Sequence, residues 1–241
     1  MPAANETPVR FILVPGFWLG AWAWDQVADV LRAAGHVVAP LTLPGLESPE
    51  SQRAGITLDQ HIDAVAAVLR EPVDLPTLLI GHSGAGPVIY GATDRVPQLV
   101  SRAVYVDSGP APPGTSARPD LTDDVTEIPL PGWQELEASG SSLAGLNEDD
   151  LQTFRQRAVP HPAGPAREPL RVENPDRLSV PVTLINSSFS SETVKELAAA
   201  GHPYFAELTR LNVTHADLPT GHWPMWSRPD DLAAELRRAA S

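Results

Sequence analysis

The ten residues TLLIGHSGAG, numbered 77–86, join a short apolar run to a glycine-rich turn with a serine at its centre. The run 77–80 is typical of a buried strand, and the pattern after the turn predicts a helix that extends to about Asp94. Ser83 has Gly81 and Ala85 two positions to either side. A tight strand-to-helix turn needs such small residues, because strand and helix nearly touch there, and it exposes the serine hydroxyl. The position between strand and helix makes Ser83 a candidate nucleophile, whereas the motif alone is also compatible with an ordinary turn.

The N–H of Gly84, at the start of the helix, is placed to stabilise an oxyanion.

A serine hydroxyl is a weak nucleophile until a neighbouring base takes its proton. His222 lies in a loop after the last predicted strand (213–218) and before the terminal helix (229–240). Such a loop can carry an imidazole over the edge of a sheet, so we expect His222 to be the general base. A loop histidine is otherwise an ordinary polar surface residue. The remaining histidines show no metal-ligand spacing, and His82 is expected to pack under the serine turn; the others are His36, His61, His161, His202 and His215.

The acid that would orient His222 is ambiguous in the sequence. The usual place for it is the loop after the predicted strand 182–185, but that loop reads NSSFSS and has no carboxylate before Glu192. One strand earlier, Asp107 follows the run 103–106, at the strand end where catalytic groups gather in a doubly wound sheet. Asp107 could instead cap the turn that follows it. We favour Asp107 over Glu192 or a serine-rich substitute.

The order of elements predicts an α/β fold. Short apolar runs alternate with helical patterns, which indicates a mostly parallel, doubly wound sheet flanked by helices. Thr57 and Gln60 form a capping box before an amphipathic helix. From Ser108 to about 178 the chain is rich in proline, glycine, serine and acidic residues, with two weak helices near 133–136 and 150–157. We expect this segment to be a lid inserted into a single domain of residues 1–241.

Composition excludes several functions. The 241 residues contain no cysteine, so disulfides, thiolate metal sites and a cysteine nucleophile are absent. A formal charge of −13 argues against nucleic acid or an anionic membrane as partner. There is no long apolar run, and the polar start from Met1 to Arg10 is unlike a signal peptide, so we expect a cytoplasmic protein. We expect a small-molecule substrate and no cofactor; the sequence leaves a homodimer open.

Over nearly its whole length the chain resembles the α/β-hydrolase superfamily, and locally the branch of plant methylesterases and hydroxynitrile lyases. The first-strand signature of that branch, H-G-x-x-x-G-x-W-x-W, is matched by Gly16, Gly20, Trp22 and Trp24. Its histidine is Pro15 here, which removes a side chain that braces the oxyanion loop. The resemblance implies that the residue after the first glycine, Phe17, supplies the second oxyanion N–H. An acid at the position of Asp107 resembles the arrangement in some haloalkane dehalogenases, but Ser83 rules out their aspartate-nucleophile chemistry.

Aromatic residues near these motifs suggest an apolar or aromatic substrate group. We expect Trp18 and Trp223 to line the pocket and Trp133 to form its roof, with Trp22, Trp24 and Trp226 in the core. The leading hypothesis is hydrolysis of a carboxylic ester or lactone through an acyl-serine. A lyase or cyclase could use the same residues, although the cyanohydrin-lyase version would want a lysine near the nucleophile, and Lys195 is the only lysine. A ligand-binding relative without catalysis is the third hypothesis, which an intact serine and histidine disfavour.

Overall fold

The computed structural model describes residues 7–241, so the first six residues of the polar N-terminal segment considered above lie outside it. The main sheet has six strands in the order β2-β1-β3-β4-β7-β8, and every neighbouring pair is parallel. A separate antiparallel pair joins β5 and β6. The strands are β1 (Arg10–Val14), β2 (Val37–Pro40), β3 (Thr77–His82), β4 (Arg102–Val106), β5 (Glu127–Ile128), β6 (His161–Pro162), β7 (Val182–Asn186) and β8 (Val213–Asp217).

Helices follow most of the strands, which confirms the alternation predicted from the sequence. In the described part of the chain they are α1 (Asp25–Ala33), α2 (Leu58–Arg70), α3 (Gly86–Arg95), α4 (Trp133–Ala138), α5 (Glu148–Arg157), α6 (Ala163–Arg167), α7 (Ser191–Ala199), α8 (Pro224–Ser227) and α9 (Pro229–Ala239). Short 3-10 turns lie between them at 21–24, 83–85, 97–99, 175–179 and 203–210.

The sheet is buried on both faces because successive side chains of each strand point to opposite sides. In β1, Phe11 and Leu13 pack with α1 and α9, whereas Ile12 and Val14 pack with α2 and α3. All four side chains are fully buried. The predicted α/β fold, a parallel sheet with helices on both faces, is therefore confirmed.

The N-terminus of α2 has the predicted capping box. The Thr57 hydroxyl accepts a hydrogen bond from the Gln60 N–H at 3.1 Å, and the Gln60 side chain accepts one from the Thr57 N–H at 2.9 Å. Two backbone donors that the helix cannot use are satisfied in this way.

The insertion between β4 and β7 contains more regular structure than the sequence indicates. Its two predicted helices are α4 and α5, but the pair β5–β6 and the short helix α6 were not expected. Strands of two residues leave no alternation to detect in a sequence. The predicted role of this insertion as a lid stays a prediction.

Two of the three tryptophans assigned to the core lie at its margin. Trp24 is fully buried as expected, but Trp22 and Trp226 are only half-buried. Their rings stack on each other at 5.6 Å, and the Arg157 guanidinium lies 4.7 Å from the Trp22 ring centre. Stacking and a cation–π contact stabilise these large rings at the surface, which corrects the prediction.

Residues 7–241 contain no helix with the length and apolar character needed to span a bilayer.

Candidate active site

The loops that follow β1, β3, β4, β7 and β8 lie at one edge of the sheet, because parallel strands all end there. These five strands are neighbours, in that order. From β1 the chain passes to β2 on one side of β1 and then returns to form β3 on the other side. The carboxyl ends of β1 and β3 therefore form a topological switch point, where α/β sheets bind ligands. The predicted site residues Phe17, Ser83, Asp107 and His222 are all in these loops.

Ser83 is in the sharp turn that its sequence predicts. Its φ of +50° lies in the left-handed region. Ser83 directly follows β3 and is the first residue of the 3-10 turn 83–85, which leads into α3. Close packing maintains this turn: a Cβ atom on Gly81 would be 2.9 Å from Ile89, and one on Gly16 would be 3.1 Å from the Ser83 Cβ. Strained backbone of this kind persists only where its surroundings impose it.

His222 lies against Ser83, with Nε2 2.7 Å from the serine Oγ. Its backbone is held on two sides. The His222 N–H donates to the carbonyl of Ser142 in the insertion at 2.7 Å, and the His222 carbonyl accepts from Nε2 of the buried His82 at 2.7 Å. His82 packs under the serine turn as expected, but its hydrogen bond to the His222 loop was not foreseen. The sequence contains no signal for such a bond, because the two residues are 140 positions apart.

Asp107 completes a line of three side chains. Its Oδ2 lies 2.5 Å from Nδ1 of His222, and its φ of +44° is again left-handed. A carboxylate can only accept, so the proton of this hydrogen bond belongs to Nδ1, which leaves the lone pair of Nε2 facing the hydroxyl of Ser83. The imidazole is therefore oriented to accept the serine proton.

The serine loop after β7 binds the Asp107 carboxylate rather than replacing it. Asp107 accepts hydrogen bonds from the N–H of Ser188 at 2.9 Å and from its hydroxyl at 2.7 Å. Burial alone would raise the pKa of Asp107, but the hydrogen bonds from His222 and Ser188 outweigh it and hold that pKa well below its ordinary value. Glu192, the alternative acid, is exposed in the first turn of α7, and it is Asp107 that contacts His222.

Phe17 and Gly84, the two expected oxyanion donors, touch each other. A Cβ atom on Gly84 would lie only 2.4 Å from the Phe17 ring, so the ring lies directly on Gly84. Gly84 is in the first turn after β3, where backbone N–H groups have no helical partner. Phe17 follows Gly16, which itself packs on Ser83. Both backbone positions therefore lie close to Ser83 along the chain or through packing.

The three tryptophans assigned to the pocket have different environments. Trp18 is half-buried beside Phe17, and its indole N–H donates to the Ile128 carbonyl at 3.0 Å. Trp133 packs on Phe154 in the insertion. Trp223 is only 2% exposed and packs between the His222 ring and Phe154. It therefore supports the base from the core, and its expected role in lining the substrate pocket stays a prediction.

In the described part of the chain, no three His, Asp or Glu side chains cluster so that they could hold a metal ion.

Comparison with known proteins places this geometry in a family. Residues 11–235 match the model of the alpha/beta hydrolase family. The chain is 38% identical over 105 residues to a carbendazim hydrolyzing esterase of Nocardioides sp. (strain SG-4G), a match covering 41% of each protein. It is 31% identical over 145 residues to methylesterase 2 of Arabidopsis thaliana, covering 57% of this chain and 54% of that one. These matches span about half the length of the two relatives.

A solved structure supports the same fold over the whole chain. The methylesterase protein MES16 from Arabidopsis superposes with a TM-score of 0.72 at 22% identity, covering 96% of this chain and 98% of that one. The similarity to methylesterases agrees with the branch indicated by the first-strand signature. The family match extends over most of the sequence, and the chain belongs to the alpha/beta hydrolase family.

Proposed function

We propose that this protein is a serine hydrolase that cleaves a carboxylic ester or lactone through an acyl-Ser83 intermediate. The observation that carries the proposal is the continuous hydrogen-bonded line from Ser83 Oγ through the His222 ring to the Asp107 carboxylate. The family and the esterase names of the relatives support an enzyme over a binding protein.

The first half of the reaction forms the acyl-enzyme. Ser83 Oγ attacks the ester carbonyl carbon while His222 Nε2 takes its proton, and Asp107 stabilises the resulting imidazolium. The N–H groups of Phe17 and Gly84 stabilise the negative oxygen of the tetrahedral intermediate. When this intermediate collapses, the carbon–oxygen bond to the alcohol breaks, and the alcohol leaves with the proton from His222.

The second half releases the acid. His222, again neutral, takes a proton from a water molecule that attacks the acyl carbon, and then returns it to Ser83 Oγ as the ester bond to the serine breaks. The products are the carboxylic acid and the free enzyme. The half-buried Phe17 ring against Gly84, with the half-buried Trp18 packed on it, favours a small apolar or aromatic substrate.

We also propose that the chain is a single domain in which residues 108–178 act as a lid. The contact that supports this role is the hydrogen bond from the His222 N–H to Ser142 of the insertion. A shift of the insertion would therefore reach the base directly.

Two measurements on the purified protein test the enzymatic proposal. A fluorophosphonate should label wild-type protein and fail to label Ser83→Ala, and p-nitrophenyl acetate should be hydrolysed by the first and not by the second. Folded wild-type protein that takes no label would contradict serine catalysis and favour a binding role. Labelling of Ser83 without turnover of any ester or lactone in a panel would favour the lyase or cyclase alternative.

A further inference from the structure

His161 is a buried histidine whose ring nitrogens have no partner. It lies in β6 of the insertion and is only 3% exposed, and neither Nδ1 nor Nε2 forms a hydrogen bond within the structure. An unsatisfied buried polar group destabilises the folded state, so such groups are rare and call for an explanation.

The surroundings of His161 are otherwise satisfied or apolar. Ile128, Ala163 and Ala166 form a small buried cluster beside it. The Trp18 indole donates to Ile128, and the neighbouring His61 bonds the Pro44 carbonyl through Nε2 at 2.9 Å. Within this small cluster, the three ring nitrogens without a partner belong to His61 and His161.

The backbone on both sides of His161 is held by hydrogen bonds to other parts of the chain. The Val159 N–H donates to the Trp18 carbonyl at 3.1 Å, and the Arg53 side chain donates to the Pro160 carbonyl at 2.8 Å. On the other side, the Ala163 N–H donates to Thr126 at 3.0 Å. The chain is therefore anchored on both sides of the histidine.

His161 is one aromatic ring away from the serine turn. Its imidazole stacks on the Phe17 ring, with centroids 4.0 Å apart and 23° between the planes. The same Phe17 ring lies on Gly84, the residue after Ser83. The Phe17 ring therefore contacts both His161 and the turn that carries Ser83.

We propose that His161 is a substrate-binding residue that selects esters carrying a hydroxyl group, which would accept a hydrogen bond from the N–H of His161 and donate one to Nδ1 of His61. This inference rests on the proposed ester hydrolysis. His61 must donate through Nε2, because a carbonyl only accepts, so its Nδ1 offers a lone pair. The two rings meet edge to face at 5.8 Å, and a neutral His161 offers one N–H and one lone pair.

A hydroxyl matches this pair because it donates and accepts at once. A charged substrate group does not match: burial lowers the pKa of His61 to about 4 and holds that of His161 well below its ordinary value, so both rings stay neutral at pH 7. An alcohol or phenol hydroxyl, rather than a carboxylate or phosphate, is therefore the chemistry that fits.

Matched pairs of esters test the proposal. Methyl mandelate and methyl phenylacetate differ by one hydroxyl on the acid part, and 4-hydroxybenzyl acetate and benzyl acetate by one on the alcohol part. We expect wild-type kcat/KM to favour the hydroxyl ester of one pair by about tenfold or more, because a site built to bond a hydroxyl rejects the analogue that lacks it. The pair that shows the preference identifies which half of the substrate reaches His161.

Three variants isolate the residue. His161→Phe keeps a ring to stack on Phe17 but removes both nitrogens, so it should abolish the preference by lowering kcat/KM for the hydroxyl ester more than for the apolar ester. Fluorophosphonate labelling of Ser83 in this variant shows that the protein is folded. His161→Asn, which keeps a donor and an acceptor, should restore part of the preference. His202→Phe, a change of the same kind at an exposed histidine, should leave the preference intact.

The outcomes separate the two proposals. Two results would overturn the role of His161 alone. One is an unchanged preference in folded His161→Phe. The other is a wild type that hydrolyses p-nitrophenyl acetate but prefers the hydroxyl ester in neither pair of esters. Absence of labelling and of all ester turnover in the wild type would instead overturn the proposed function. A structural role predicts a change in Tm without a change in the substrate ratio.

Discussion

Asp107 depends on residues from a different loop for its orientation. Ser187 and Ser188 follow β7, the strand after which the sequence offered no carboxylate, and their N–H groups bind Oδ1 of Asp107 at 3.3 and 2.9 Å. The serines thus keep a role at the site by binding an acid from the neighbouring strand β4. The sequence shows that the loop after β7 has no carboxylate. It does not show that the serines of this loop bind Asp107, because that contact depends on how the two loops meet in space.

Replacing Asp107 by Asn should lower kcat by about 10⁴-fold, because the amide no longer holds His222 in the tautomer that can accept the serine proton. Glu192→Gln is the matched control, since Glu192 is exposed, and its activity should stay within twofold of wild type on the same ester. Steady-state hydrolysis of p-nitrophenyl acetate measures both. Loss of activity in Glu192→Gln alone would refute the assignment of Asp107.

Gly84→Ala should lower kcat/KM by roughly 10²-fold, the scale of losing one oxyanion donor, because its new Cβ would force the Phe17 ring and the loop away. Adding Phe17→Ala removes the obstructing ring and should recover at least tenfold of the loss. The same ester assay, with circular dichroism to check folding, compares the single and double variants. A fully active Gly84→Ala would show that the loop adjusts without cost.

At the scale of elements, long periodic segments were predictable and short ones were not. Apolar runs predict the strands around the serine turn, and a capping box predicts the helix α2. The structure contains all of these elements. The pair β5–β6 has two residues per strand and could not be detected, yet it carries His161. The order of Ser83, Asp107 and His222 along the chain was informative, whereas the burial of Trp223 depends on α5, whose Phe154 packs on it.

The capping box of α2 gives a prediction at this scale. Thr57→Ala should lower the free energy of unfolding by about 1 kcal/mol, because the Gln60 N–H loses its acceptor. Thr57→Ser keeps the hydroxyl and should remain close to wild type. Urea unfolding followed by circular dichroism measures both, and equal stabilities for Ala and Ser variants would contradict the contribution of the cap.

For the molecule as a whole, three buried histidines couple folding to pH. Burial lowers the pKa of His61 to about 4 and that of His82 to about 3, and holds that of His161 well below its ordinary value. Unfolding returns each to an ordinary pKa of about 6.5. Below that pH the unfolded chain binds protons that the folded chain does not, so stability decreases as the pH falls towards the folded-state values.

Each of these histidines should remove about 1.4 kcal/mol per pH unit once the pH is well below 6.5, so the three together remove roughly 4 kcal/mol per unit. About 5 kcal/mol would then be lost between about pH 6 and pH 4.5, against a typical folding stability of roughly 5–15 kcal/mol. Urea midpoints measured from pH 7.5 to 4.5 should show this slope. His161→Phe should reduce it by about a third and the exposed His202→Phe should not; a flat profile above pH 5 would contradict neutral burial.

Within residues 7–241, three residues other than glycine have a left-handed backbone, and all lie after neighbouring strands at the candidate site: Trp18 after β1, Ser83 after β3 and Asp107 after β4. Each such position carries strain of order 1–3 kcal/mol, which glycine would relieve. At Trp18 and Asp107 the native side chains offset this strain by packing and hydrogen bonds, so a directed-evolution campaign that screened only for heat tolerance would reward glycine above all at Ser83. It would enrich more stable variants that have lost the nucleophile, so such a selection needs turnover as a simultaneous criterion.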